Sequence, residues 1–489
     1  MEKEKTRVSL KGIKDEFSGC YDYTERKMAL GGEGGIQATV CFLDGLVSGE
    51  AIAREVIRPA TNEARFGGVK LQSRAIELFM EGVVYSSTAK LCTGLQETID
   101  YMLTGFCAVV FDKAAAAVVF EVKSPVGRSV SEPKEEKVIK GAKDVFVEIL
   151  KTNTMLVRRK IKSSSLKFKQ VYIGEQAKTM AVIVYMEDYT DMSLVEEMER
   201  RLQNPQTDVV LSAASIEEYI EDRPKTPFPQ MLRTERPDRF CMNILEGRVG
   251  LIVDGLPMGY MAPGTFSQFY KVPEDIANHF IVASIMTVMR YLALVITVLL
   301  PGFYVAVAMY HQEMLPTKLL LSIISSRQAV PFPAALEIIA MLAAFELLQE
   351  AGLRMPNTIG TTVSILGALI VGQAAVDAKV VSPIVVIVIA LAGIAGYTVP
   401  DQDMSAALRI FRFIFVLAAI VGGLYGLVIA GVLMICHMCS IESFGVSYME
   451  PFSGDRWRDK LRAFLRLPVK KTEHLKPELN PREEKDETD

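Results

Sequence analysis

The chain of 489 residues is half hydrophobic and carries 54 lysines and arginines against 58 aspartates and glutamates, a net charge of −4 with four histidines. That balance has no concentrated basic face and gives no reason to expect nucleic acid, and so few histidines leave acid–base catalysis by histidine poorly supported. The length suits two or three domains, and a mean hydropathy of +0.24 is high for a soluble protein.

Charges are dense from residue 1 to about 280 and rare from about 285 to 440. The opening MEKEKTRVSLKGIKDEF has no apolar stretch of the signal-peptide kind, so the charged half is expected in the cytoplasm. Within it, ATVCFLDGL (38–46), CAVVFDKA (107–114), MAVIVYMED (180–188) and GLIVDGLP (250–257) read as strands ending in polar turns. SLVEEMERRLQ and SIEEYIED read as helices, and the polar run 124–143 as a linker. The fold expected is α/β (or α+β) in two cytosolic subdomains, 1–125 and 126–280, fused to an all-α polytopic membrane domain over 281–440. A cytosolic tail, basic then acidic, follows over 441–489. Seven cysteines, most in apolar segments, read as reduced core residues.

Ahead of the apolar half lies a joint. Arg236, Pro237 and Asp238 open a capped helix that closes at Gly247, and Asp254–Gly255 is a strand-ending hairpin turn, since glycine accepts positive φ without strain.

About 20 uncharged residues cover the ~30 Å hydrocarbon layer. Tyr291–Tyr310, Met355–Val376, Val380–Pro400 and Phe413–Cys436 meet that length. The segment AALEIIAMLAAFELLQEAGLR carries Glu337, Glu346 and Glu350, and an acid at bilayer centre costs on the order of 3 kcal/mol. It is therefore either an interfacial amphipathic helix or a lining of an aqueous path. The basic run DRWRDKLRAFLRLPVKK belongs on the cytoplasmic side. With both ends inside, four crossings fit, or six with a hairpin at the glutamates. Ala418, Gly422, Gly426 and Ala430 form a stripe of small residues suited to close helix packing, within the chain or between subunits.

CHMC (436–439) has redox-like spacing but lacks the second ligand pair of a structural zinc site, and HQE (311–313) lacks a deaminase partner motif. No P-loop, dinucleotide fingerprint or nucleophile elbow is present in the sequence. The residues imply no enzyme, no cofactor and no metal.

Several long segments resemble, in order, the A-subunit of spore germination receptors: RSVSEPKEEKVIKGAKDVFVEILKTNTMLVRRKI (128–161), PFPQMLRTERPDRF (227–240), EGRVGLIVDGLP (246–257), YHQEMLPTKLLLSI (310–323), VPFPAALEIIAMLAAFELLQEAGLRMP (330–356), IGTTVSILGALIVGQAAVDAKVVSPIVVIVI (359–389) and SFGVSYMEPF (443–452). The similarity runs from about residue 100 to 452. It implies a nutrient-receptor subunit in the inner membrane of the spore, with both termini cytoplasmic. Its partners would be a transporter-like, germinant-binding B-subunit and a lipoprotein C-subunit. It also implies a ring of A-subunits around a path for monovalent cations. A homologous A-like subunit serves the dipicolinate-release apparatus, and this chain could belong to that branch.

On that reading 359–373, with Gly360, Gly367, Gly372 and Gln373, is the first candidate pore lining, its small and hydroxyl residues leaving room and oxygens for a cation. Glu337 and Glu346 would supply an acidic ring, with Arg354 or Asp377 and Lys379 as possible neutralisers. A secondary transporter and a scaffold that leaves ion handling to its partners are the competing classes.

Overall fold

The computed structural model describes residues 7–32, 35–62, 64–84, 88–124, 136, 141–203, 213–354, 372–454, 457–467 and 479. Two compact units result, one from residues up to 221 with 231–263 and, at the end of the chain, 473–489, the other from 222–230 with 264–472. The boundary therefore falls at 263 and not at 280, because 264–280 packs within the helical unit.

The first unit holds two five-stranded sheets. Strands β1 (Tyr23–Ala29), β2 (Gln37–Leu43), β3 (Ala89–Cys92), β4 (Phe106–Phe111) and β5 (Ala116–Glu121) pair in the order β1-β2-β4-β5-β3. Strands β6 (Leu166–Ile173), β7 (Thr179–Met186), β8 (Leu232–Thr234), β9 (Val249–Val253) and β10 (Gly259–Ala262) pair in the order β6-β7-β9-β10-β8. Every pairing in both sheets is antiparallel. Of the two expected classes the α+β one is observed, since antiparallel neighbours need no helical crossover.

The first sheet is covered on both faces, which explains why β4 reads as an unbroken apolar run. Strand side chains alternate. Cys107, Val109 and Phe111 join a core with Phe66 and Phe79, while Phe106, Ala108 and Val110 join a second core with Ile99 and Met102. Helices α1 (Leu10–Glu16), α2 (Gln72–Met80) and α3 (Leu95–Leu103) supply those layers. In the second sheet, α4 (Leu150–Lys160), α5 (Met192–Leu202), α6 (Ala213–Ile220) and α7 (Pro237–Leu245) accompany the strands. Arg158 of α4 ties the two sheets together. Its buried guanidinium donates to both oxygens of Asp22, at 3.0 and 3.1 Å, and to the Leu166 carbonyl at 2.9 Å. Burial pushes the Asp22 carboxyl up, and the Arg158 charge opposes that shift.

The second unit contains α8 (Phe280–Met309), α9 (Thr317–Arg327), α10 (Ala334–Arg354), α11 (Pro383–Gly396), α12 (Gln402–Cys439) and α13 (Trp457–Phe464). The 30 residues of α8 are long and apolar enough to cross a membrane. Ile281, Ile285, Met289 and Leu292 on it are exposed. It covers residues 291–309 of the expected span 291–310 and begins earlier. Most of the expected span 355–376 lies outside the described residues. The expected span 380–400 contains α11, whose 14 residues reach about 21 Å, short of the ~30 Å layer.

The expected single crossing 413–436 is corrected. Within α12, Gly423 has φ 59° and ψ −137°, which is not helical, and the chain folds back there. The rings of Phe411 and His437 lie 6.5 Å apart, whereas a straight helix would separate residues 26 positions apart by roughly 39 Å. The element is an antiparallel hairpin with arms 402–422 and 424–439. A glycine pair at 422–423 permits it, because a Cβ at 423 would be strained at that φ and ψ.

Candidate functional site

Inside the helical unit, α10 carries two glutamates whose partners come from α9, α11 and α12. Glu337, on the first turn of α10, is 1 % exposed. One of its oxygens accepts from Arg327 Nε at 3.3 Å and the other from the Ser382 N–H at 2.7 Å. Ser382 is the N-cap of α11, and its own hydroxyl does not cap that helix. Glu337 thus satisfies an amide at a helix N-terminus, where the peptide dipoles favour an anion. Glu346, two and a half turns on, takes Arg412 Nη2 on one oxygen and Arg409 Nη1 on the other, the latter at 3.3 Å. The Arg412 side chain is 1 % exposed, so its charge depends on that carboxylate.

The sequence offered Arg354 or Asp377 and Lys379 as neutralisers, and the residues paired to the glutamates are instead Arg327, Arg409 and Arg412. A signal was present: two arginines three apart in ALRIFRFIFV demand a carboxylate from elsewhere. Gly360 and Gly367 lie outside the described residues. Gly372 is buried near Val386, and Gln373 is exposed in the short helix 372–377. Neither is brought to the glutamate–arginine pairs by any hydrogen bond among the described residues.

The hairpin is held at both ends. At its tip the Tyr310 hydroxyl donates to the Ile420 carbonyl at 2.5 Å, satisfying a helix-end oxygen. Of the small-residue stripe, Gly426 sits where any Cβ would overlap the Ala418 carbonyl, and Ala430 is buried. Close approach occurs here between the two arms of one chain, with Gly422 at the fold. At the base, the segment 222–230 clamps the arms: Phe228 stacks on Phe411 at 4.9 Å and lies 6.0 Å from His437, whose Nε2 is 2.8 Å from Thr226 Oγ1. That histidine belongs to CHMC, whose Cys436 and Cys439 are exposed and unpaired. Among the described residues no group of three or more histidine, cysteine, aspartate or glutamate side chains is placed to hold a metal ion.

The joint residues sit in the first unit, away from these charges in sequence and in role. Pro237 occupies N1 of α7, and the buried Arg236 guanidinium grips Asp238 at 2.6 and 3.0 Å. Gly247 ends the helix with φ 100°. Gly255, φ 84°, turns β9 into β10. Asp254 does more than turn the chain: its Oδ1 accepts the Leu150 N–H at 3.1 Å, capping α4, whose own N-cap Ile149 has no side-chain oxygen to offer.

Taken together, the class is a chain that joins an α+β region of two antiparallel sheets to an apolar helical unit carrying paired charges in its interior. The chain belongs to the family described as Bacillus/Clostridium GerA spore germination protein, which it matches over residues 11–478. It is 34 % identical over 478 residues to spore germination protein KA of Bacillus subtilis (strain 168), covering 97 % of this chain and 87 % of that one. It is 33 % identical to spore germination protein GerLA of Bacillus cereus, covering 94 % and 92 %. It is 34 % identical to the uncharacterized membrane protein YfkQ of Bacillus subtilis (strain 168), covering 92 % and 86 %. Among solved structures, the crystal structure of the N-terminal domain of the A subunit of the Bacillus megaterium spore germinant receptor GerK3 is matched with a TM-score of 0.43 and 25 % identity, over 53 % of this chain and 98 % of that one.

Proposed function

We propose that this chain is a non-catalytic membrane subunit of a spore germinant receptor, that several copies assemble in the inner spore membrane with B- and C-type subunits, and that the assembly couples nutrient binding to release of monovalent cations. Family membership supports the germination role. The observation that carries the ion-path reading is Glu346 held between Arg409 and Arg412 inside a largely apolar helical unit. Ionisable groups are retained at such depth where ions or gating charges move. Both glutamates are neutralised by arginines of the same chain, so the arrangement is the closed one. Parting Glu346 from the hairpin would free an acidic side chain to attract cations and release the first arm.

The test is potassium efflux from liposomes carrying the purified oligomer, with and without the partner subunits, comparing wild type with Glu346→Gln and Gly367→Leu. Increased leak with the first and altered permeation with the second are expected. Unchanged efflux from correctly incorporated protein, partners present, would favour the scaffold.

A further inference from the structure

Helix α13 follows the hairpin and has two unlike faces. At 100° per residue, Trp457, Leu461 and Leu465 make one stripe; the Leu465 amide still bonds the Leu461 carbonyl, at 2.8 Å, so the helical turn continues through it. All three are exposed, Trp457 by 70 %. On the opposite side Ala463 is buried, while Phe464, at the edge of the stripe about two turns on from Trp457, turns inward and packs on Tyr291 of α8 at 4.8 Å and on Phe452 at 5.4 Å. Beyond the helix, the Arg466 guanidinium holds the carbonyls of Asp275 and Asn278, and the Arg466 backbone N–H donates to Ser284 Oγ at 2.9 Å. The helix is therefore pinned to the beginning of α8, beside the exposed Ile281, Ile285, Met286 and Met289.

Its charge is equally one-sided. Residues 455–471 contain seven lysines and arginines and two aspartates. Tryptophan and leucine on one face with basic residues beside them is the composition of a helix lying in the plane of a membrane surface, apolar side down and cations at the headgroups.

We propose that α13 is a surface anchor that docks on a leaflet containing anionic phospholipid, with Trp457, Leu461 and Leu465 in the interfacial layer and Lys460 and Arg462, on the two flanks of that stripe, at the headgroup phosphates. Through Arg466 and Phe464 the anchor fixes the height of the start of α8. The proposal rests on the membrane reading of the helical unit given above.

The chain has a single tryptophan, so intrinsic fluorescence reports this helix alone. The full chain is reconstituted into phosphatidylcholine vesicles with or without phosphatidylglycerol, and Trp457 emission is followed with bromine-labelled acyl chains as the lipid-side quencher and iodide as the aqueous one. Phosphatidylglycerol is expected to move the emission to shorter wavelength, increase quenching by the brominated lipid and shield Trp457 from iodide. Leu461→Asp should return it to iodide, and Lys460→Glu combined with Arg462→Glu should abolish the dependence on phosphatidylglycerol. Protein that floats with the vesicles while Trp457 stays open to iodide and untouched by brominated lipid overturns the anchor. Lipid quenching that ignores phosphatidylglycerol overturns the anionic-headgroup contact. Failure to float with vesicles at all would instead overturn the membrane reading.

Discussion

Replacing Gly423 by alanine tests the hairpin directly. At φ 59° and ψ −137° a side chain meets a backbone region reserved almost wholly for glycine, a cost of about 1–3 kcal/mol. The added Cβ would also lie 3.0 Å from His311 Cε1 and 3.2 Å from Tyr310 Cβ, tighter than ordinary contact. In a straight helix the same change is favourable by about 1 kcal/mol. The two effects act in one direction and shift the balance toward a continuous helix by about 2–4 kcal/mol, a factor of roughly 30 to 1,000 in population. The assay is dipolar coupling between spin labels at positions 411 and 437, after replacing Cys436 and Cys439 by serine. In the native sequence the two side chains are close, their rings 6.5 Å apart, and coupling is strong. In Gly423→Ala the coupling should weaken toward the separation of a straight helix, or the helical unit should lose stability. A long distance in the parent protein refutes the hairpin, and an unchanged distance and stability in the variant refute the role assigned to Gly423.

Three further outcomes follow from the same geometry. Glu346→Gln leaves the buried Arg412 unpaired and should destabilise the helical unit by about 3–5 kcal/mol, with Glu346→Gln/Arg412→Gln recovering part of the loss; thermal unfolding in detergent measures both. Burial pushes Cys41, Cys107 and Cys241 up to about 12 and Cys92 to about 11, and Cys20 is raised as well. A raised pKa keeps a thiol protonated below that value, so at pH 8 a small maleimide should modify Cys436 and Cys439 alone in native protein, and mass spectrometry finding all seven labelled would contradict the fold. Asp254→Ala should cost about 1 kcal/mol through the lost cap of α4, seen as faster hydrogen exchange at the Leu150 amide; unchanged exchange there would show that Asp254 is only a turn residue.

Much of this was legible in the amino-acid order because it is set within a few residues. Asp254–Gly255 turns the chain because glycine alone tolerates positive φ cheaply, and Pro237 opens α7 because its missing N–H is no loss at N1. The alternation in β4 and β5 was hidden, since both faces of that sheet are covered and every position but the terminal Glu121 is apolar. The second task of Asp254, capping a helix more than a hundred positions away, has no local signature.

The apolar half divides the same way. Its hydropathy, its small residues and the arginines at 409 and 412 are properties of the chain itself, and they are enough to announce close-packed helices that need buried counter-charges. Which carboxylate answers those arginines was decided only in three dimensions, because Glu346 and Arg412 stand 66 positions apart and nothing local ties them. The direction of the chain after Gly422 was decided there too. Two glycines inside an apolar run are compatible with a straight span and with a reversal, and what selects the reversal is tertiary: Tyr310 satisfies the Ile420 carbonyl at the tip, Gly426 admits the Ala418 backbone, and Phe228 closes the base.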